Sequence, residues 1–295
     1  MFDGDELLWR WPTPLREGRL LRRYERFVAE VELAGGARVR AHCVNPGRME
    51  GLVVPGARVW LSEARAGRAL GWTWELVELD GVLVGANTAL PNQLARALLE
   101  RSLVGAPSPH RRCLAGFSGL TAVRPEQPFG QGHRVDFLLE GPSGPRYVEV
   151  KNCHLAYPDR GAYFPDSRSE RATAHAEELG RLAARGVAAS VLFTVQRLDA
   201  DVVRPSALHD PAFADALRRA VAAGVTVHAV RLAPTLEGLR LDAELPVDVA
   251  PYDPRRLEPW AAALAPTSGW TRKDGRVAGA SPPRVAPARA PRRAG

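Results

Sequence analysis

Three side chains in the stretch 132-GHRVDFLLEGPSGPRYVEVKN-152 have types and spacing that could do chemistry: Asp136, Glu149 and Lys151. Two carboxylates offer hard oxygen ligands, and with a backbone carbonyl they suit Mg2+, with Mn2+ as an alternative. A metal so held polarises a phosphodiester and lowers the pKa of a bound water. An amine two residues beyond the second carboxylate can orient that water and offset developing negative charge. Asp136 and Glu149 are therefore the candidate metal ligands, and Asp136, Glu149 and Lys151 the candidate catalytic residues. The same spacing also suits a plain ion pair between Glu149 and Lys151 on a solvated hairpin. Both readings stay open on the spacing alone.

A hairpin must position these groups. Val135, Phe137 and Leu139 alternate, the pattern of a strand with one buried face. Gly141, Pro142, Gly144 and Pro145 mark a turn. Tyr147 to Lys151 form the return strand, with Glu149 and Lys151 on one face and Val148 and Val150 on the other. Paired strands would let Asp136 face the same space. The spacing resembles that of the PD-(D/E)xK nuclease superfamily. Lysine usage adds weight, because of 40 Lys and Arg only Lys151 and Lys273 are lysines. A compact ammonium can contact a water where a guanidinium is too bulky.

Composition bounds the rest. A chain of 295 residues suggests two domains. No apolar run reaches the roughly 18–20 residues a membrane helix needs. The opening MFDGDELLWRWPTPL is acidic and lacks the pattern of a signal peptide, so a cytoplasmic protein is expected. Cys43, Cys113 and Cys153 lack zinc spacing and are expected to be reduced thiols. The net charge of +7 invites a nucleic-acid partner, but residues 253–295 alone hold nine basic against three acidic side chains. The remainder is near neutral, so a phosphate-binding surface there must come from local clustering.

Residues 1–13 look irregular. From Arg16 to Asn87 the chain is strand and turn, with Ala34-Gly35-Gly36 as a hairpin signal, and about five short strands suggest an OB-fold barrel. Arg19, Arg22, Arg23 and Arg26 cluster at its start beside Tyr24 and Phe27, the arrangement of a strand-binding groove. Arginines are rarely buried without partners, so they are expected at the surface. Trp60 is expected in the barrel core. Pro91 to Leu103 predicts a helix linking barrel and second domain, and Asp166 to Gly186 a second, capped by Ser167 or Ser169. Arg171 and His175 share a face of that helix and could be aimed at a phosphate. Ala189 to Gln196 predicts a strand buried on both faces. A helix over Ala212–Ala223 and strands over Val225–Leu232 and Leu236–Leu245 complete an α/β domain with a mixed sheet. His209 and His228 show no partner and are expected to be structural. After Tyr252 the Pro/Ala/Arg-rich composition predicts a disordered tail, with Trp260 and Trp270 as residues that could dock back.

The blocks RYERFVAEVEL, AHCVNPGRMEGL, PGARVWL, TWELVE, GANTALPN, RVDFLLE, YVEVKN, FPDSRSERATAHAEEL and LFTVQR, in this order, resemble the sugar fermentation stimulation protein (SfsA) family over about residues 14–250. The resemblance implies an OB-fold over 14–87, a PD-(D/E)xK nuclease-like domain over 88–250, and DNA as partner, with 251–295 as an added disordered tail. It implies metal and catalytic roles for Asp136, Glu149 and Lys151. Arg171 and His175 fall in a matching helix block. An upstream helix carboxylate often completes such sites, and Glu100 is the nearest helical candidate. The family's usual Asn-Thr-Gly-x-Met segment is Asn45-Pro46-Gly47-Arg48-Met49 here, and Pro46 withdraws a backbone donor from that loop. No small-molecule cofactor, sugar site or helix-turn-helix is evident. Two functions compete: a Mg2+-dependent DNA nuclease, and a non-catalytic DNA-binding regulator of sugar (maltose-type) metabolism on a nuclease scaffold.

Overall fold

A computed structural model describes residues 7–105, 114, 116–129 and 132–274. Cys113, the basic run His110-Arg111-Arg112 and the tail beyond residue 274 lie outside the described residues. The chain opens with strand β1 (Leu7–Arg10), followed by β2 (Arg16–Tyr24), β3 (Val28–Leu33), β4 (Arg38–His42), β5 (Arg58–Glu63), β6 (Trp72–Leu79) and β7 (Val82–Gly85). Gly35 and Gly36 both take positive φ in the β3–β4 turn, as a tight hairpin requires. Strands β4-β3-β2-β5-β6 pair in that order, and a parallel β4–β6 pairing at Ala41 and Trp72 closes them into a five-stranded OB barrel. Trp74, Leu20, Val31 and Leu61 fill its interior.

Trp60 is buried, but on the outside of the barrel. It joins the core formed by helix α1 (Pro91–Glu100) and the large sheet, and Trp74 takes the interior place instead. Trp60 and Trp74 lie on neighbouring strands whose side chains alternate faces, so which of them points inward depends on register, which composition does not reveal.

The second domain contains β8 (Ala122–Phe129), β9 (His133–Glu140), β10 (Arg146–Asn152), β11 (Leu155–Ala156), β12 (Gly161–Phe164), helix α2 (Glu170–Ala184), β13 (Ala188–Val195), β14 (Val202–Pro205), helix α3 (Pro211–Ala222), β15 (Thr226–Pro234) and β16 (Gly238–Leu245). Its large sheet has the order β1-β16-β15-β13-β10-β9-β8. The central β10, β13 and β15 are parallel, while β8, β9, β16 and β1 pair antiparallel. Helices α2 and α3 cover one face of the sheet, and Gly180 lets α2 come close to Ala220 of α3. On the other face α1 lies between sheet and barrel, burying Leu94, Leu98 and Leu99 against Phe137, Val148 and Val150. Strands β11, β12 and β14 form a separate small sheet.

Two expectations need correction, and one strand went without any expectation. Residues 7–10 are a strand on the outer edge of the large sheet, because β16 has a free edge there to pair with. Ala122–Phe129 is also a strand. Its two prolines are tolerated at the opposite edge, where a missing donor breaks no inner ladder. Residues 251–274 are not a disordered tail. Asp253 caps a 3-10 turn at Pro254–Leu257, helix α4 (Glu258–Leu264) follows, and Leu257 is fully buried against Leu155, Tyr157 and Tyr163. Trp260 packs on Tyr157 with ring centroids 5.8 Å apart. Trp270 lies 5.4 Å from the guanidinium carbons of both Arg23 and Arg26, and Thr271 bridges to Tyr24. A few well-spaced apolar anchors hold a segment that average composition describes as unstructured. Among the described residues no helix is long and apolar enough to cross a membrane.

Candidate metal and catalytic site

The predicted hairpin is β9–β10. Its ladder runs from Leu139 and Arg146 to Phe137 and Val148 and ends there. Just past that point the strands separate, and Asp136 Oδ2 accepts the Val150 N–H at 2.7 Å in place of a ladder bond. Its Oδ1 accepts from Asn92 Nδ2, also at 2.7 Å, in the first turn of α1. The Asp136 carboxylate is thus fixed by a strand and a helix together.

Glu149, one residue before Val150, is buried. Its Oε1 accepts from Lys151 Nζ at 2.7 Å and lies 2.5 Å from His175 Nδ1, while Oε2 is buried with no hydrogen-bond partner. Burial, and then the nearby Glu149 charge, push the Asp136 carboxyl up to about 6 against its bonds to Val150 and Asn92 and the pull of Lys151. Burial would raise Glu149 too, but His175 and Lys151 outweigh it and hold Glu149 below its ordinary value. The ion pair offered as the plain alternative does exist. It is not a solvated one, since the side chains of Lys151 and Glu149 are only 12% and 5% exposed.

The remaining expected site residues are scattered. His175 is buried on Glu149, edge-on to Phe129, and does not face a phosphate, whereas Arg171 one turn earlier is exposed. The α2 stripe is set by small residues, and His175 falls on its buried side. Glu100 does not reach the site. It pairs with Arg96 at 2.7 Å on the surface, and α1 contributes Asn92. On the barrel Arg19, Arg22 and Arg26 are exposed, with Arg22 paired to Glu30 at 2.6 Å. Arg23 is 1% exposed, so it is not a surface contact. Its guanidinium donates to the carbonyls of Arg26, Asn45, Gly47 and Gly269.

The loop after β4 connects the domains. Asn45 Oδ1 accepts the Gly47 N–H at 2.8 Å, and Met49 N donates to Asp166 Oδ2 at 2.9 Å. His154 Nε2 meets the same oxygen at 3.1 Å. Glu50 receives the Tyr157 hydroxyl at 2.6 Å and lies 2.9 Å from His209 Nε2, so His209 has the buried partner that no local signal revealed. His228 packs on Phe117, and burial, then Arg146, lower it to about 4.

Burial alone would raise the Asp166 carboxyl, but His154, its hydrogen bond, the Met49 amide and His209 hold it at about 2. A depressed carboxylate contributes stability that is complete above the unfolded value and lost as pH falls through the folded one. From the ordinary 3.8 to about 2, Asp166 should contribute roughly 2 kcal/mol that disappears over that window. Urea unfolding between pH 5 and 2 should therefore fall less steeply for Asp166→Asn than for wild type. Parallel curves would remove Asp166 from the acid response.

An OB barrel joined to a mixed-sheet α/β domain with an Asp-Glu-Lys group around the buried Glu149 defines a two-domain α/β class. A family model described as "SfsA N-terminal OB domain" matches residues 21–86, and one described as "Sugar fermentation stimulation protein RE domain" matches residues 89–238. The chain belongs to the sugar fermentation stimulation protein family. Over 240 residues it is 43% identical to a sugar fermentation stimulation protein homolog of Geobacter metallireducens, covering 81% of this chain and 99% of the relative. It is 46% identical to the Halorhodospira halophila homolog over 240 residues, covering 79% and 95%. The structure of Pyrococcus furiosus SfsA in complex with Ca2+ is similar at a TM-score of 0.72 and 27% identity, covering 82% of this chain and 99% of that one.

Proposed function

We propose that the protein binds DNA in the cytoplasm and hydrolyses its phosphodiester bonds at Asp136, Glu149 and Lys151 with the help of Mg2+. The observation that carries this reading is the buried, unpartnered Oε2 of Glu149 beside the raised carboxyl of Asp136. Two carboxylates left in this state fit a divalent cation. Among the described residues no third His, Cys, Asp or Glu completes a metal cluster, so Asp136 and Glu149 would hold the ion with backbone oxygen and water filling its shell. The Ca2+ in the similar Pyrococcus furiosus protein supports an oxygen-ligand cation. When bound, the ion would polarise the phosphodiester and acidify a water.

The chain's own groups do the rest. Asn92 and the Val150 amide fix Asp136, His175 fixes Glu149, and Lys151 offers its remaining N–H donors to an attacking water or a phosphate oxygen. Exposed Arg19, Arg22, Arg26 and Arg171 are available for phosphate contacts, which hold a strand without reading its sequence. The deciding experiment incubates end-labelled single-stranded, duplex, flapped and branched DNA with the full chain in Mg2+, Mn2+ or EDTA. Metal-dependent cutting is expected, and no cutting of any substrate in either metal would refute hydrolysis.

A second reading is a DNA-binding regulator of sugar metabolism that does not cut. Glu149 Oε1 already shared by Lys151 and His175 favours it, since that half of the site is satisfied without a metal. Salt-sensitive binding without cutting, equal in wild type and Lys151→Ala, would support DNA binding without turnover.

A further inference from the structure

A cavity of about 290 Å3 opens from the proposed metal site, with Asn92, Val150 and Lys151 of that site in its lining. One wall is the barrel loop at Asn45 and Gly47, and the other is formed by Lys151, His154, Asp166 and Ser167. Asn45 and His154 are 1% and 7% exposed, and each has a buried polar atom with no hydrogen-bond partner, Asn45 Nδ2 and His154 Nδ1. Their other polar atoms are fixed, Asn45 Oδ1 by the Gly47 amide and His154 Nε2 by Asp166. Native proteins seldom leave buried polar groups unsatisfied, and both residues line this cavity, which points to a hydrogen-bonding ligand beside them.

The lining limits what that ligand is. Asp166 keeps a negative charge there at neutral pH, which disfavours a phosphate deep inside. Phe164 and Pro165 add apolar surface. A group without negative charge and with hydrogen-bonding edges suits this lining, and it would sit next to the residue offered to a phosphate. A nucleobase has those properties. The volume is that of a small ligand pocket and far too small for a duplex.

We infer that the cavity between the Asn45–Gly47 loop and Lys151 receives one unstacked nucleobase of a DNA strand whose adjoining phosphate lies at Glu149 and Lys151. The inference rests on the proposed DNA hydrolysis and deepens it. Unstacking a base is easiest in a single strand or a frayed end, so such DNA is the preferred substrate over intact duplex.

The test uses the full chain in EDTA with single-stranded oligonucleotides carrying one 2-aminopurine, whose fluorescence rises when the base leaves the stack. Two variants probe the cavity. Asn45→Asp keeps the acceptor for the Gly47 amide and removes the Nδ2 donor. Ser167→Trp fills the cavity from a half-buried position. Wild type is expected to raise the signal several-fold. Both variants should lose it and bind single strands about tenfold more weakly, roughly the effect of one hydrogen bond. Asn45→Asp, which buries a second carboxylate near Asp166, should melt lower than wild type, whereas Ser167→Trp should melt close to it and is the deciding variant. An unchanged signal in a folded Ser167→Trp overturns the inference, as does binding of free deoxynucleoside monophosphate without any signal from strands. If wild type cuts no DNA in Mg2+ yet shows a signal that Ser167→Trp abolishes, hydrolysis fails and the base cavity stands. If wild type and both variants cut equally well, hydrolysis stands and the base cavity fails.

Discussion

Asp136→Asn is expected to slow DNA hydrolysis in Mg2+ by at least about a hundredfold, the order seen when one charge-stabilising group is removed from an active site. Asparagine has nearly the same shape and can keep one of the two bonds to Asn92 and Val150. What it loses is the negative charge, so the substitution separates charge from framework. Lys151→Ala should fall into the same range while leaving Glu149 bonded to His175. Lys151→Arg should not restore activity, because a planar guanidinium in a position only 12% exposed cannot place a compact ammonium beside Glu149. Rates are to be measured on labelled DNA beside melting curves of each variant. Wild-type cutting by folded Asp136→Asn would remove this residue from the chemistry.

Arg23→Ala should be the most damaging of the arginine substitutions, and its effect should be on stability. The side chain donates to carbonyls from three separate segments and lies beside Trp270. Its removal takes the donor from one buried carbonyl and three part-buried ones, at about 1–3 kcal/mol for each left unsatisfied, so a total near 3–5 kcal/mol is expected. For a chain of this size that lowers the melting temperature by roughly 6–15 °C. Arg22→Ala should stay within about 0.5 kcal/mol of wild type, since its pair with Glu30 is exposed. Its loss should instead weaken DNA binding and flatten the salt dependence. Calorimetry and a salt titration of binding check both statements. A stable Arg23→Ala with weakened DNA binding would return Arg23 to the surface role that its sequence neighbourhood suggested.

That contrast shows what was legible from residue types. The Asp136, Glu149 and Lys151 group was, because alternation along two adjacent strands and one glycine-proline turn are local signals. So was α2, which starts at a Ser169 cap. Arg23 was not, because its partners are backbone carbonyls, and no residue type announces a carbonyl. Asn92 was missed for a related reason: its link to Asp136 spans 44 residues and depends on where α1 meets the splayed strands. Strand β1 finds its partner at the other end of the chain, and four residues carry too little periodicity to announce a strand.

The pairing of β1 with β16 also sets an order of events during synthesis. The barrel strands, residues 16–85, lie in one stretch of chain and can pair before the rest is made, although Arg23 gains Gly269 and Trp270 only later. The large sheet is split by that barrel, and Leu7–Arg10 must wait for residues 238–245 before gaining a neighbour. Gly238 reserves the place, since a Cβ there would lie 2.0 Å from the Trp9 carbonyl oxygen. A nascent chain halted before β16 is translated should therefore resist protease over the barrel while being cut at its N-terminal segment. Equal protection of both at that length would show that the N-terminal strand docks without its partner.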